Sequence, residues 1–128
     1  MSRRSKWRLR DGDDFSRAFQ KGRKLQGRLF NLRIYAERNA DGFFPAQFGI
    51  AVGKRIGRPV LRNRIRRQVR EAIWLVFARV PHGYHFVFEA LSGVKDAPGL
   101  ELRQDALLLM ERFLERLDGA KSETKARP

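Results

Sequence analysis

The sequence predicts an α+β fold, a two-layer sandwich in which three helices pack on a small mixed four-stranded sheet. Amphipathic runs and short period-two or aromatic runs follow one another in the order helix, strand, strand, long helix, strand, helix, with a short extra strand near Leu25. The 128 residues suffice for one domain with one core, and not for a second independent one. A hydrophobic content of 42%, including ten Phe, favours a packed core over an unfolded polycation, despite a mean hydropathy of -0.53.

Residues 1–10 hold five basic groups and no acid, and read as a loose basic arm that Trp7 and Leu9 pin to the core. In DGDDFSRAFQKGRK, Asp11 and Asp13 offer capping oxygens, Phe15, Ala18 and Phe19 share one face, and Gly22 ends a short helix. Phe30, Leu32 and Ile34 alternate along RLFNLRIYAER, the pattern of a half-buried strand. A second strand, AQFGIAV, follows a link whose Asn39, Asp41, Gly42 and Pro45 predict a hairpin or slightly longer loop. Residues 57–78 form the long helix, with Pro59 in its first turn and Pro81 and Gly83 beyond its end. YHFVFEAL has strand composition. In ELRQDALLLMERFLERL, Leu102, Ala106, Leu109, Met110, Phe113, Leu114 and Leu117 fall at core spacing on an amphipathic helix. The domain therefore spans residues 1–117, and the polar residues 118–128 predict a disordered tail.

Twenty-eight Lys and Arg against 14 acids give a net charge of +14. Self-repulsion of that size calls for a polyanionic partner, nucleic acid before an anionic membrane. No run approaches the roughly 20 apolar residues of a spanning helix, and MSRRSKWRLR leads into acids rather than an apolar signal core, which places the chain in the cytoplasm. The absence of Cys excludes disulfides, thiolate metal sites and a Cys nucleophile.

The charge concentrates in KRIGRPVLRNRIRRQVR, residues 54–70, which has eight cations and no acid. At about 100° per residue from Arg62, Leu61, Ile65, Val69, Ala72, Ile73 and Val76 fall between about -100° and +20°. Arg62, Asn63, Arg64, Arg66, Arg67 and Arg70 spread over the complementary face. A merely solvated helix would interleave Glu and gain i,i+4 pairs, whereas arginines four apart repel. A localisation tag would not be tied into the fold by an apolar stripe. Several planar guanidinium forks on one helix instead match the repeated charges of a phosphate backbone. Asn63 adds an amide suited to a ribose hydroxyl or a base edge.

On these residues the chain closely resembles the bacterial ribonuclease P protein subunit family. The likeness rests on GIAVGKRIGRPVLRNRIRRQVREA, with its RNR triplet Arg62, Asn63 and Arg64 and its basic pair Lys54 and Arg55. DDFSRAFQKGRKLQGRLFNL and PHGYHFVFEA extend it over residues 8–117. The resemblance implies the fold of the second domain of ribosomal protein S5, with a left-handed βαβ crossover that the ordinary right-handed preference would not suggest. It implies an accessory subunit of an endoribonuclease whose RNA is the catalyst, with Mg²⁺ held by that RNA and the substrate. The reaction is removal of the 5′ leader of precursor tRNA. Carried over by position, Lys54, Arg55, Arg58, Arg62, Asn63, Arg64, Arg66, Arg67 and Arg70 contact the ribonuclease P RNA. Phe15, Phe19, Arg28, Phe30 and Arg33 form the leader cleft; two Phe four apart on a short helix equally suit a core. Arg33 stands where many members carry an aromatic residue, which implies backbone pairing in place of stacking, and Ala51 and Gly53 replace frequent serines. A monomer bound one-to-one to the RNA is implied.

No catalytic residue or metal ligand is assigned to this chain. His82 and His85 lack a framing carboxylate, and capping accounts for Asp11, Asp13 and Asp14. The other readings are a structural, ribosomal-type RNA-binding protein, a dimeric DNA-binding module and a self-sufficient nuclease.

Overall fold

The computed structural model describes residues 7–36 and 46–126. Helix α1 (Gly12–Lys21) is followed by strands β1 (Arg23–Gln26), β2 (Phe30–Ala36) and β3 (Gln47–Ala51). Helix α2 (Pro59–Val76), strand β4 (Tyr84–Ala90) and helix α3 (Gly99–Ala126) complete the order, with single 3-10 turns before and after α2 and before α3. The predicted α+β architecture, with a mixed four-stranded sheet and three helices, is what forms, and the extra strand at Leu25 is β1.

The sheet order is β1-β2-β4-β3. β1 and β4 both pair antiparallel with β2, while β3 runs parallel to β4, so β3, α2 and β4 make a βαβ unit. Of the hairpin or slightly longer loop expected between β2 and β3, the hairpin is excluded, because β4 lies between them. The turn-forming residues 39–45 lie outside the described residues, as do arm residues 1–6 and tail residues 127 and 128. The reason for the central place of β4 is in its composition: His85, Phe86, Val87 and Phe88 are all buried, the continuous burial of a strand covered on both faces.

The two faces differ. Phe30, Leu32, Ile34, Phe48, Phe86 and Phe88 join the core beneath α2 and α3, which contribute Ile65, Val69 and Ile73, and Leu102, Leu109 and Met110. On the other face Ala18, with Phe15 and Phe19 of α1, packs on Val87, Tyr35 and Ala51. Asp11 caps α1 by accepting the Asp13 amide at 3.0 Å. The arm is fixed where it is described: Arg8 bridges to Phe48, the Leu9 amide donates to the Phe48 carbonyl at 2.9 Å, and Trp7 and Leu9 are buried. The last helix continues to Ala126, through residues 118–126 where composition predicts disorder.

Candidate nucleic-acid interface

The basic helix begins at a constrained entry. Gly57 has φ +156°, and a Cβ there would stand 2.8 Å from the Leu61 side chain, so glycine alone turns the chain comfortably from the Lys54–Ile56 turn into α2. Lys54, Arg55 and Arg58 are exposed on this entry, and Pro59 occupies the first helical turn. Ile65, Val69, Ala72, Ile73 and Val76 are buried, as the wheel requires. Asn63, Arg64, Arg67 and Arg70 are exposed, and Arg62 and Arg66 are half-buried. Gln68 faces α3, where its Oε1 accepts from Arg103 Nε at 3.1 Å. The structure thus brings all nine expected RNA-subunit contacts onto α2 and the turn before it.

Within that set Arg66 is under particular pressure. Its pKa is lowered, first by burial and then by Arg62, Arg8 and Arg70. Arg66 Nη1 donates to Asn63 Oδ1 at 3.4 Å, a neutral partner that leaves the positive charge uncompensated. A phosphate is the group that would relieve this convergence.

Arg8 belongs to a groove of about 710 Å³ beside the edge strand β3. Trp7, Phe15, Phe48 and Trp74 supply its aromatic surface, and Arg8, Arg10, Arg66, Arg67 and Arg70 its cations. Phe15 reaches this position because Gly49 has no side chain; a Cβ there would be 2.4 Å from the Phe15 ring. Sequence reasoning put Arg8 and Arg10 in a basic arm able to follow a phosphate backbone but not beside α2, and missed Trp7 and Trp74 as site residues. For Trp74 a signal existed, since it continues the Arg66, Arg70 row four residues further on, on the cationic rather than the apolar side of the wheel.

The five residues expected in the leader cleft do not all come together. Phe15, Phe19 and Arg33 share the outer face of the sheet: the Arg33 guanidinium lies 5.2 Å from the Phe19 ring centroid, and its Nη2 is 3.4 Å from Glu89 Oε1. Glu89 Oε1 also accepts from Asn31 Nδ2 at 3.3 Å. Phe30 is fully buried on the opposite face, edge-to-face with Phe88, because strand alternation turns residues 30 and 33 to opposite sides. Arg28 sits in the β1–β2 turn, where Nη2 pairs with Glu101 Oε2 of α3 at 3.3 Å. Of the five residues, Phe15, Phe19 and Arg33 thus share one face, separated from Phe30 by the thickness of the sheet. His85 is buried in β4 and His82 is exposed beyond α2.

Comparison with known proteins addresses the whole chain. A family model described as Ribonuclease P matches residues 4–114. The ribonuclease P protein component of Symbiobacterium thermophilum is 33% identical over 106 residues, covering 83% of this chain and 90% of its own. That of Chloroflexus aurantiacus is 34% identical over 110 residues, covering 85% and 78%. Among solved structures, the RNase P protein of Staphylococcus aureus superposes with a TM-score of 0.73 at 25% identity, over 82% of this chain and 93% of that one. The Thermotoga maritima protein gives 0.69 at 26% identity, over 82% and 96%. The arginine face on α2, the sheet order and the span of the match agree, and the chain belongs to the ribonuclease P protein family.

Proposed function

We propose that this chain is the accessory protein of a ribonucleoprotein endonuclease, binding a catalytic ribonuclease P RNA through α2 and the single-stranded 5′ leader of precursor tRNA through the face that carries Phe15, Phe19 and Arg33. The observation that carries the reading is the unneutralised convergence of Arg8, Arg62, Arg66 and Arg70, which a phosphate backbone would complete. Lys54, Arg55, Arg58, Arg64 and Arg67 extend the contact along the backbone, and Asn63 reaches a ribose or base edge. On the leader face the guanidinium of Arg33 lies over the Phe19 ring, so an incoming nucleotide would place its phosphates near Arg33 and its base near Phe15.

The chemistry is hydrolysis of a phosphodiester by water that Mg²⁺ ions activate, those ions being held by the RNA and the substrate rather than by this chain. The role of the protein is electrostatic: it neutralises phosphates where RNA and leader approach each other, so less Mg²⁺ is needed to hold them. One copy serves one RNA, in the cytoplasm. Reconstitution of the chain with bacterial ribonuclease P RNA tests this. At low Mg²⁺ the chain is expected to stimulate 5′ cleavage of precursor tRNA and to favour substrate with a leader over leaderless tRNA. No stimulation would overturn the proposal, and cleavage by the protein without RNA would replace it with a self-sufficient nuclease.

A further inference from the structure

The arginine row of α2 does not end on a charge. Arg66, Arg70 and Trp74 follow four residues apart, so the indole continues the line of the guanidinium groups. Trp74 is 42% exposed, although Trp buries most of its surface in an ordinary core. Its ring is nevertheless held in place. Trp7 meets it edge-on with centroids 5.5 Å apart, and Phe77 lies tilted against it at 4.9 Å. Trp7 is in turn 5% exposed and set edge-on against Phe48 at 6.0 Å. The indole is therefore a rigid, partly open π surface at the side of the groove that Arg66, Arg67 and Arg70 line.

Charge decides what such a surface receives. Among the described residues the one acid lining the groove, Glu71, is already paired with Arg103 at 2.9 Å, which leaves the arginines as the dominant field. A flat apolar group on a polyanion satisfies both parts of the site, and an unpaired nucleotide is that ligand. We propose that Trp74 is a base-stacking platform, taking an unpaired base of RNA whose adjoining phosphates lie on Arg66, Arg67 and Arg70. This rests on the reading of the chain as an RNA-binding ribonuclease P subunit and adds a subsite to it. Trp7 is the positioning residue, holding the indole without meeting the base itself.

The test uses the full chain with two strands of equal phosphate number, an oligoadenylate and an abasic strand. Wild type is expected to bind the oligoadenylate more tightly, by roughly 5- to 150-fold per stacked base. Trp74→Leu, which keeps an apolar side chain against Trp7 and loses the ring, is expected to lose one stacked base's worth of that preference, leaving the share of the Phe15 face, while its affinity for the abasic strand and its salt slope stay as in wild type. Trp74→Phe should keep most of the preference. In Trp7→Phe, where Trp74 is the sole Trp of the chain, the emission should be quenched by the oligoadenylate and not by the abasic strand, a readout that stands even if Trp74→Leu fails to fold. An undiminished preference in Trp74→Leu, or emission that ignores the bases, would overturn the platform. So would self-association that Trp74→Leu abolishes, since the ring would then serve a second copy. Stimulation of ribonuclease P RNA measured in parallel separates the two readings: stimulation without a Trp74-dependent preference removes the platform alone, and absent stimulation removes the parent reading.

Discussion

Burial, then the charges of Arg62, Arg8 and Arg70, lower the pKa of Arg66, so the folded state holds this guanidinium against its own preference. Like charges this close disfavour the folded state, and a bound anion would offset them. Arg66→Gln removes two repulsive i,i+4 pairs, with Arg62 and with Arg70, each worth about 0.2–0.5 kcal/mol at low salt. The variant is expected to melt higher than wild type in low salt, with the gain fading as salt rises. Its affinity for RNA should fall, with a salt slope shallower by about one unit. A variant that binds as wild type does would take Arg66 out of the phosphate contact. These outward arginines are legible in sequence because helical periodicity is local: knowing Ile65 and Val69 face inward suffices to turn Arg66 and Arg70 away. The partners of Arg33 are not legible in that way. Glu89 and Phe19 lie on two other elements, and only the pairing of Asn31 with Glu89 across β2 and β4 brings that carboxylate within reach.

At the scale of elements, α3 shows how a helix late in the chain governs where other residues stand. Asp105 is buried, and its Oδ2 accepts the amides of Leu29 and Phe30 at 3.0 and 3.1 Å. Arg112 Nη1 donates to the Gln26 carbonyl at 3.0 Å, and Glu101 pairs with Arg28, so one face of α3 grips the whole β1–β2 turn. This grip holds Arg28 at the turn rather than beside Phe15, Phe19 and Arg33, and the sequence does not show it: a turn arginine followed by a strand looks free until a helix more than seventy residues later supplies its partner. Asp105→Ala leaves two buried amides without an acceptor, at a cost of about 1–3 kcal/mol. Denaturant unfolding is expected to register that loss, with Asp105→Asn losing less because it retains a carbonyl oxygen. RNA salt slopes should be unchanged in both, since no phosphate contact is touched. A shifted slope would mean that the turn itself lies against RNA.

For the molecule as a whole, sheet order is the feature least visible beforehand. Alternation in β2 marks Phe30, Leu32 and Ile34 as one face, yet each strand's neighbours depend on pairings between residues far apart in sequence, such as Phe30 with Ala90. What is legible at this scale is the charge, +14 on a chain of 128 residues. It makes opposite demands on folding and on binding. Between about 0.01 M and 0.15 M salt the Debye length falls from about 30 Å to about 8 Å, so repulsion among cations spread over the surface is progressively screened. The free chain should therefore melt higher as salt increases, because compaction brings like charges together. Its complex with RNA should weaken over the same range, because fewer counterions are released on binding into a saltier solution. Calorimetry of the free chain and titration of RNA in matched buffers measure the two signs side by side. A melting temperature that stays flat would mean that local pairs such as Arg103 with Glu71 and Arg28 with Glu101 already balance the field, and that the surplus of cations does not bear on folding. A rising one, with falling affinity, identifies the surplus as charge kept for a partner, and RNA binding then stabilises the fold by supplying the anions that salt otherwise only imitates.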